Sequence, residues 1–216
     1  MYLIGQYLIF MIKVLKISLV LLSLLINSCA SFDPSIDLGY FRYWKEGFAG
    51  NSIDVDEKYI NSMDYSFIKV KQGRNEAIFV LSTIDENGYE NWIGLDNNRI
   101  VTFNGLIIRT SGLDTDFNFE GFTSNQWSIN FLDGEQYSGS ISLSNPRLYR
   151  TNATFQLIRS QVTKDCDLLH TFIRNYKDVG FKSSDTYCFS KGALKSSSQR
   201  LSPFSKILEI DFYYKY

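Results

Sequence analysis

The chain has 216 residues, with 22 lysines and arginines against 23 aspartates and glutamates, for a net charge of −1. That balance leaves no basic surplus to draw nucleic acid or anionic lipid, and the single histidine, His170, excludes a metal site that needs two. The length suffices for one domain with a substantial core.

The first element is a leader. "ISLVLLSLLI", residues 17–26, is uncharged and follows Lys13 and Lys16. A short basic region and then an apolar run is the pattern of a secretory signal, and the run is shorter than the roughly 20 residues a spanning helix needs. Met11 begins a tidier signal than Met1 and is the expected start of translation. The run ends in Ile26-Asn27-Ser28-Cys29, which resembles a bacterial lipobox, with small Ser28 before an obligatory cysteine. On that reading the Cys29 thiolate takes a diacylglyceryl group, cleavage follows Ser28, and the new amine takes a further chain such as palmitate. Each buried CH₂ contributes about 0.8 kcal/mol, so two or three chains hold firmly. Ala30, rather than aspartate, follows the cysteine and favours an outer-membrane location facing the periplasm. The alternative is an uncleaved anchor. Residues 1–28 are thus read as signal, 29–34 as lipidated cysteine and tether, and 35–216 as a single β-rich domain. Removing the signal leaves 20 basic against 23 acidic residues, a net charge of −3.

In "DPSIDLGYFRYWKEGF", Asp33 is an N-cap and Pro34 a first helical residue. Ile36, Tyr40, Tyr43 and Trp44 then share a face, which predicts a helix over 35–47. "DVDEKYINSM" predicts a second short helical turn. From Ser66 the period falls to two. "FIKVKQ", "EAIFVLSTI", "RIVTFNG" and "LIIRTSGL" read as strands separated by polar loops such as "ENGYEN" and "DNN". "QWSINFLDGEQYSGSISL" reads as a hairpin about Asp133-Gly134, and "ATFQLIRSQVT" and "TFIRNYK" continue the pattern. "KSSSQR" reads as a small polar loop or edge. In "KILEIDFYYKY" Leu208, Ile210 and Phe212 alternate with Ile207, Glu209 and Asp211. The 17 Phe, 14 Tyr and 3 Trp suit strands and their cross-strand pairs. The expected fold is all-β after one or two short helices, a large antiparallel meander curved into a barrel or half-barrel.

Catalytic patterns are weak. Cys166 and His170 lie four apart, but nothing nearby supplies an orienting group or oxyanion hole. Ser66 and Lys69 form Ser-x-x-Lys, yet on a strand and without the motifs that accompany that chemistry. Asp54/Asp56 and Asp114/Asp116 are acidic pairs whose ordinary role is to solvate turns. The expectation is no enzyme, no cofactor and no metal. Cys166 and Cys188, 22 apart, form either a disulfide, which an oxidising periplasm permits, or two separate buried thiols. Arg109 interrupts the apolar run "GLIIRTSGL", where a guanidinium must be paired or exposed. Its fork suits an acidic sugar or a partner's carboxylate; otherwise it faces solvent or pairs with Asp96 or Glu120. Trp92 is either a sugar-stacking ring or a core residue.

The stretch from Met63 to Phe117 is similar to the YjbF/GfcB-type lipoproteins of exopolysaccharide and capsule operons. The matching pieces are Tyr65-Ser66, Trp92, Asp96, Val101-Thr102, Asn104-Gly105, Arg109-Thr110 and Gly112-Leu113. Asp64 and Leu106 depart from the commoner proline and arginine. The closing segment from Asp185 is also similar, so that the resemblance covers essentially the whole mature chain, although a tryptophan often stands where Cys188 stands, which argues against a family-wide disulfide. The resemblance implies a lipid-anchored, non-enzymatic accessory to making or exporting a surface polysaccharide. Its implied partners are the membrane through the lipid on Cys29, an outer-membrane barrel, a periplasmic companion and the polysaccharide itself. The alternative function is an acyl-chain carrier with a half-barrel cavity.

Overall fold

The computed structural model describes residues 52–121 and 136–215. The signal, Cys29, the helix expected over 35–47 and the Asp133-Gly134 turn lie outside them.

The described chain opens with a short helix, α1 (Glu57–Ser62). Asp56 caps it by accepting from Tyr59 N at 2.7 Å, and Met63 N–H closes it on the Ile60 carbonyl. Twelve antiparallel strands follow: β1 (Phe67–Gln72), β2 (Asn75–Ile84), β3 (Glu90–Ile93), β4 (Arg99–Phe103), β5 (Leu106–Ser111), β6 (Phe117–Glu120), β7 (Gln136–Leu143), β8 (Leu148–Gln161), β9 (Leu168–Tyr176), β10 (Phe181–Ser190), β11 (Ala193–Gln199) and β12 (Leu208–Tyr213). Each pairs with its chain neighbour, and β12 returns to pair with β1, so the barrel is closed. Closure removes the two open edges that a curved sheet would otherwise present.

Local sequence explains much of this path. Asn104-Gly105 and Lys191-Gly192 join β4 to β5 and β10 to β11 with both residues at positive φ, as tight primed hairpin turns require. Gly105 is needed twice over, because a Cβ there would lie 1.9 Å from Leu194 Cδ2. Register shifts at β2/β3, β4/β5, β7/β8, β8/β9 and β10/β11 supply the bulges that let a sheet curl.

The period-two pattern sends one set of side chains inside. Ile68 lies opposite both Phe79 and Phe212, and Val70 opposite Ala77 and Ile210. Trp92 faces Leu81 and Ile100, and Phe119 faces Ile141. All of these but the partly buried Leu81 are buried, and together they form one continuous apolar cluster against which Leu81 packs. A smaller cluster lies outside β1, where Phe67 stacks on Tyr213 at 4.6 Å and meets the edge of Tyr59 from α1. The chain before α1 is clasped to the same face. Lys69 Nζ donates to the Ile53 carbonyl and Ile53 N donates to Glu76, each at 2.6 Å, while Lys69 and Glu76 pair at 3.0 Å.

"KSSSQR" is neither loop nor edge. Its residues up to Gln199 belong to β11, between β10 and β12 in the closed wall. Ser197 and Gln199 point inward and are buried there, so polarity at these positions reflects a polar interior rather than exposure.

Candidate functional site

The interior contains a polar knot among its rings. Arg174 (β9) and Asp185 (β10) are both fully buried, with Arg174 Nη2 2.6 Å and Nε 2.7 Å from Asp185 Oδ2. Arg174 Nη1 donates to Tyr176 Oη at 3.1 Å, and Tyr176 donates on to the Leu201 carbonyl. The guanidinium also lies over Phe155, 4.5 Å from the ring centre. Asp185 Oδ1 accepts from Arg200 N. Gln199 ties the knot to the far wall: its Oε1 accepts from Tyr187 Oη and Ile107 N, and its Nε2 donates to the Gly105 carbonyl at 2.7 Å. Burial pushes Asp185 above the usual carboxylate range against the pull of Arg174. Burial acts to lower the Arg174 pKa, but the Asp185 charge outweighs it and the guanidinium stays protonated. With its donors and acceptors matched this way, the knot is a cross-barrel brace.

A second buried chain runs from Trp92. Its indole N–H donates to Thr102 Oγ1 at 2.8 Å, Thr102 donates to Glu90 Oε2 at 2.7 Å, and Tyr214 donates to Glu90 Oε1 at 2.8 Å. Burial raises the Glu90 pKa above the ordinary value, and these hydrogen bonds partly offset the rise. Trp92 itself has 0 % exposure, so this ring presents no surface to a sugar. Its role in the structure is packing, against Phe212 and Tyr214.

Inward-facing side chains from all twelve strands meet in one buried cluster. A cleft at one end, lined by Val70, Phe79, Leu208, Gln72, Asn98 and Gly112 among others, measures about 80 Å³. Pockets that enclose a drug-sized ligand run to about 300–1,000 Å³, so this cleft is too small to enclose a ligand of that size.

The outer wall offers a different arrangement. Arg109 and Thr110 alternate, so Thr110 turns in and braces the β5–β6 connection, accepting from Phe117 N at 2.9 Å, while Arg109 faces out and is exposed. Arg109 makes no ion pair with Glu120 among the described residues. Its Nε donates to Asn118 Oδ1 at 3.0 Å, Asn118 Nδ2 donates to Glu120 Oε1 at 3.0 Å, and Arg150 Nε donates to Glu120 Oε2 at 3.2 Å. Arg150 also lies over Tyr149, 5.5 Å from the ring centre, and that tyrosine is 75 % exposed. This ladder of Arg109, Asn118, Glu120 and Arg150 crosses β5, β6 and β8 on the outside of the barrel. Sequence reading found Arg109 through its place in an apolar run. It passed over Arg150 and Tyr149, which no local pattern marks; Arg150 stands out in the structure, by its φ of +48°.

The catalytic patterns do not assemble. Cys166 is bonded to Cys188, with an S–S distance of 2.07 Å, so it presents no thiol to His170. His170 Nδ1 is 2.8 Å from Ser160 Oγ instead. Ser66 Oγ accepts from Lys215 N, while Lys69 is engaged with Ile53 and Glu76. Asp56 is spent on the helix cap, and Asp116 joins its backbone to Ser144. No group of three potential metal ligands occurs among the described residues, and no helix among them is long and apolar enough to cross a membrane.

The fold is therefore a closed, twelve-stranded antiparallel barrel of the all-β class, with its accessible chemistry on the outer wall. The family described as Group 4 capsule polysaccharide lipoprotein gfcB, YjbF, matches residues 41–128. The matched span contains Trp92, the turn at Asn104-Gly105, Arg109 and Thr110, so the resemblance read from those motifs is shown. Among solved structures, the hypothetical lipoprotein YmcC from Escherichia coli K12 is similar at 17 % identity, with a TM-score of 0.63. The alignment covers 83 % of this chain and 96 % of that one. At that identity the likeness is one of fold. No curated protein matches the chain.

Proposed function

We propose that this protein is a lipid-anchored, non-enzymatic accessory in the assembly or export of a capsule or exopolysaccharide, working through the outer wall of its barrel. The family match supports the general role. The observation that carries the mode of action is the packed interior: inward-facing side chains of all twelve strands meet in one buried cluster, so recognition falls to the surface. The acyl-carrier alternative gains nothing from a barrel packed with Phe79, Phe155, Phe172 and Trp92.

On the outer wall, the Arg109–Arg150 ladder with Tyr149 is the surface we assign to glycan contact. Side chains on strands hold their geometry better than side chains on loops, and an exposed tyrosine beside fixed polar groups suits a sugar's mixed apolar and hydroxyl faces. Attachment through Cys29 to the outer membrane, on its periplasmic side, would keep this wall beside the export machinery, and an outer-membrane barrel and a periplasmic companion are the protein partners proposed.

The test is calorimetric titration of the protein with the host's own purified surface polysaccharide. Saturable binding that falls on Arg109→Ala or Arg150→Ala supports the reading. Absence of binding up to millimolar repeat units refutes glycan contact, and recovery of export proteins with the membrane-bound chain then becomes the expected result.

A further inference from the structure

We infer that the outer face of β5–β8 is selective for carboxylate-bearing sugars, with the Arg109 and Arg150 forks taking acid groups and Tyr149 packing on a sugar ring. This rests on the glycan reading above and adds the chemical class of the ligand.

Four observations converge on it. Both guanidinium groups are held at Nε, Arg109 by Asn118 and Arg150 by Glu120, and the amide–carboxylate contact of Asn118 with Glu120 ties the two together. The Nη1–Nη2 edge of each makes no hydrogen bond or ion pair among the described residues. An Arg fork fixed at one edge and open at the other is pre-organised for bidentate capture of a planar carboxylate. Second, the ladder itself carries two guanidinium groups and a single carboxylate, Glu120, with the Asp178 carboxylate bonded to Asn152 N beyond it. Third, Arg150 holds φ at +48°, a strained conformation for a non-glycine residue that persists only where its surroundings over-determine it. Its backbone N–H donates to Ser142 Oγ at 3.2 Å, and Glu120 holds its side chain. Strain of this kind concentrates at ligand sites. Fourth, the strand positions between the forks carry short side chains. Asn118 lies opposite Ser142, and Glu120 opposite Ser140, which in turn lies opposite Asn152. Small hydroxyl and amide groups leave room over the sheet and can hydrogen-bond ring hydroxyls.

The test uses the full chain in detergent micelles and two probes: the host's purified surface polysaccharide, and the same polymer after its carboxyl groups are reduced to alcohols. Calorimetry is expected to show at least tenfold weaker binding of the reduced polymer. Arg109→Lys and Arg150→Lys, which keep the charge and lose the fork, are each expected to weaken native-polymer binding at least fivefold with the thermal midpoint unchanged. Tyr149→Ala is expected to weaken both polymers alike. Equal binding of native and reduced polymer overturns the acid preference and leaves the glycan reading standing. Binding by neither polymer removes both. Selectivity for the native polymer that survives both lysine substitutions overturns the assignment to these two forks.

Discussion

Replacing Asp185 with asparagine removes one charge from a buried pair and changes almost no volume. Asparagine can still accept from Arg200 N, as Asp185 Oδ1 does at 3.1 Å. What it withdraws is the anion held by Arg174 through two contacts of 2.6 and 2.7 Å. The guanidinium then stays protonated at a site with 0 % exposure, left to Tyr176, Gln199 and the faces of Phe155 and Phe117. Breaking a buried pair by removing one partner costs about 3–5 kcal/mol. For a domain of this size each kcal/mol moves the thermal midpoint by about 2–4 °C, so Asp185→Asn is expected to lower it by roughly 6–20 °C. Urea unfolding followed by tryptophan fluorescence measures the free energy directly. Arg174→Met is expected to lose a similar amount, and the double variant Arg174→Met/Asp185→Asn clearly less than the sum, because the second change no longer strands a charge. A loss below about 1 kcal/mol for Asp185→Asn, or strict additivity in the double variant, would refute the view that the ionised pair braces the barrel.

Glu90 makes a pH-dependent prediction. Its folded pKa is raised by burial, so the native state binds this proton more tightly than the unfolded chain. The resulting stabilisation is fully present below the ordinary value of 4.5 and is lost as pH rises through the raised folded value. Glu90→Gln is therefore expected to be at least as stable as the parent at pH 7 and to lose that advantage towards pH 4, read as the difference in thermal midpoints across pH; an advantage that grows on acidification contradicts it. Gly105→Ala places a methyl group against Leu194 at φ +81° and is expected to cost about 2–4 kcal/mol from strain and overpacking together, with partial recovery on Leu194→Ala in the same denaturation assay. Trp92→Phe removes the donor to Thr102 and is expected to cost about 1–3 kcal/mol while leaving polysaccharide binding unchanged by calorimetry; a selective loss of binding would restore Trp92 to the site.

How much could be read in advance varied with how local the information was. The alternation in "FIKVKQ" and "KILEIDF" marked β1 and β12, because period-two burial is written into neighbouring residues. α1 was likewise visible in "DVDEKYINSM". The four-residue strands β3 and β6 are too short to show a period, and "ENGYEN" concealed the start of β3 in what read as a loop. Ser197 and Gln199 in β11 misled for another reason: they are polar because they serve a buried knot whose other members, Arg174, Asp185 and Gly105, are distant in the chain.

By itself, the sequence determined most of the strand content, the charge balance and the family resemblance, all properties of residues and their near neighbours. Tertiary structure decided the rest. Pairing of β1 with β12, across 136 residues from Gln72 to Leu208, closed the barrel rather than leaving a half-barrel. Closure turned Trp92 inward and brought Cys166 to Cys188. It also set Arg109 beside Asn118 and Arg150 beside Glu120 on one outer wall. Those contacts depend on register between strands, and register is set by how the whole inward-facing surface packs, which no single segment specifies.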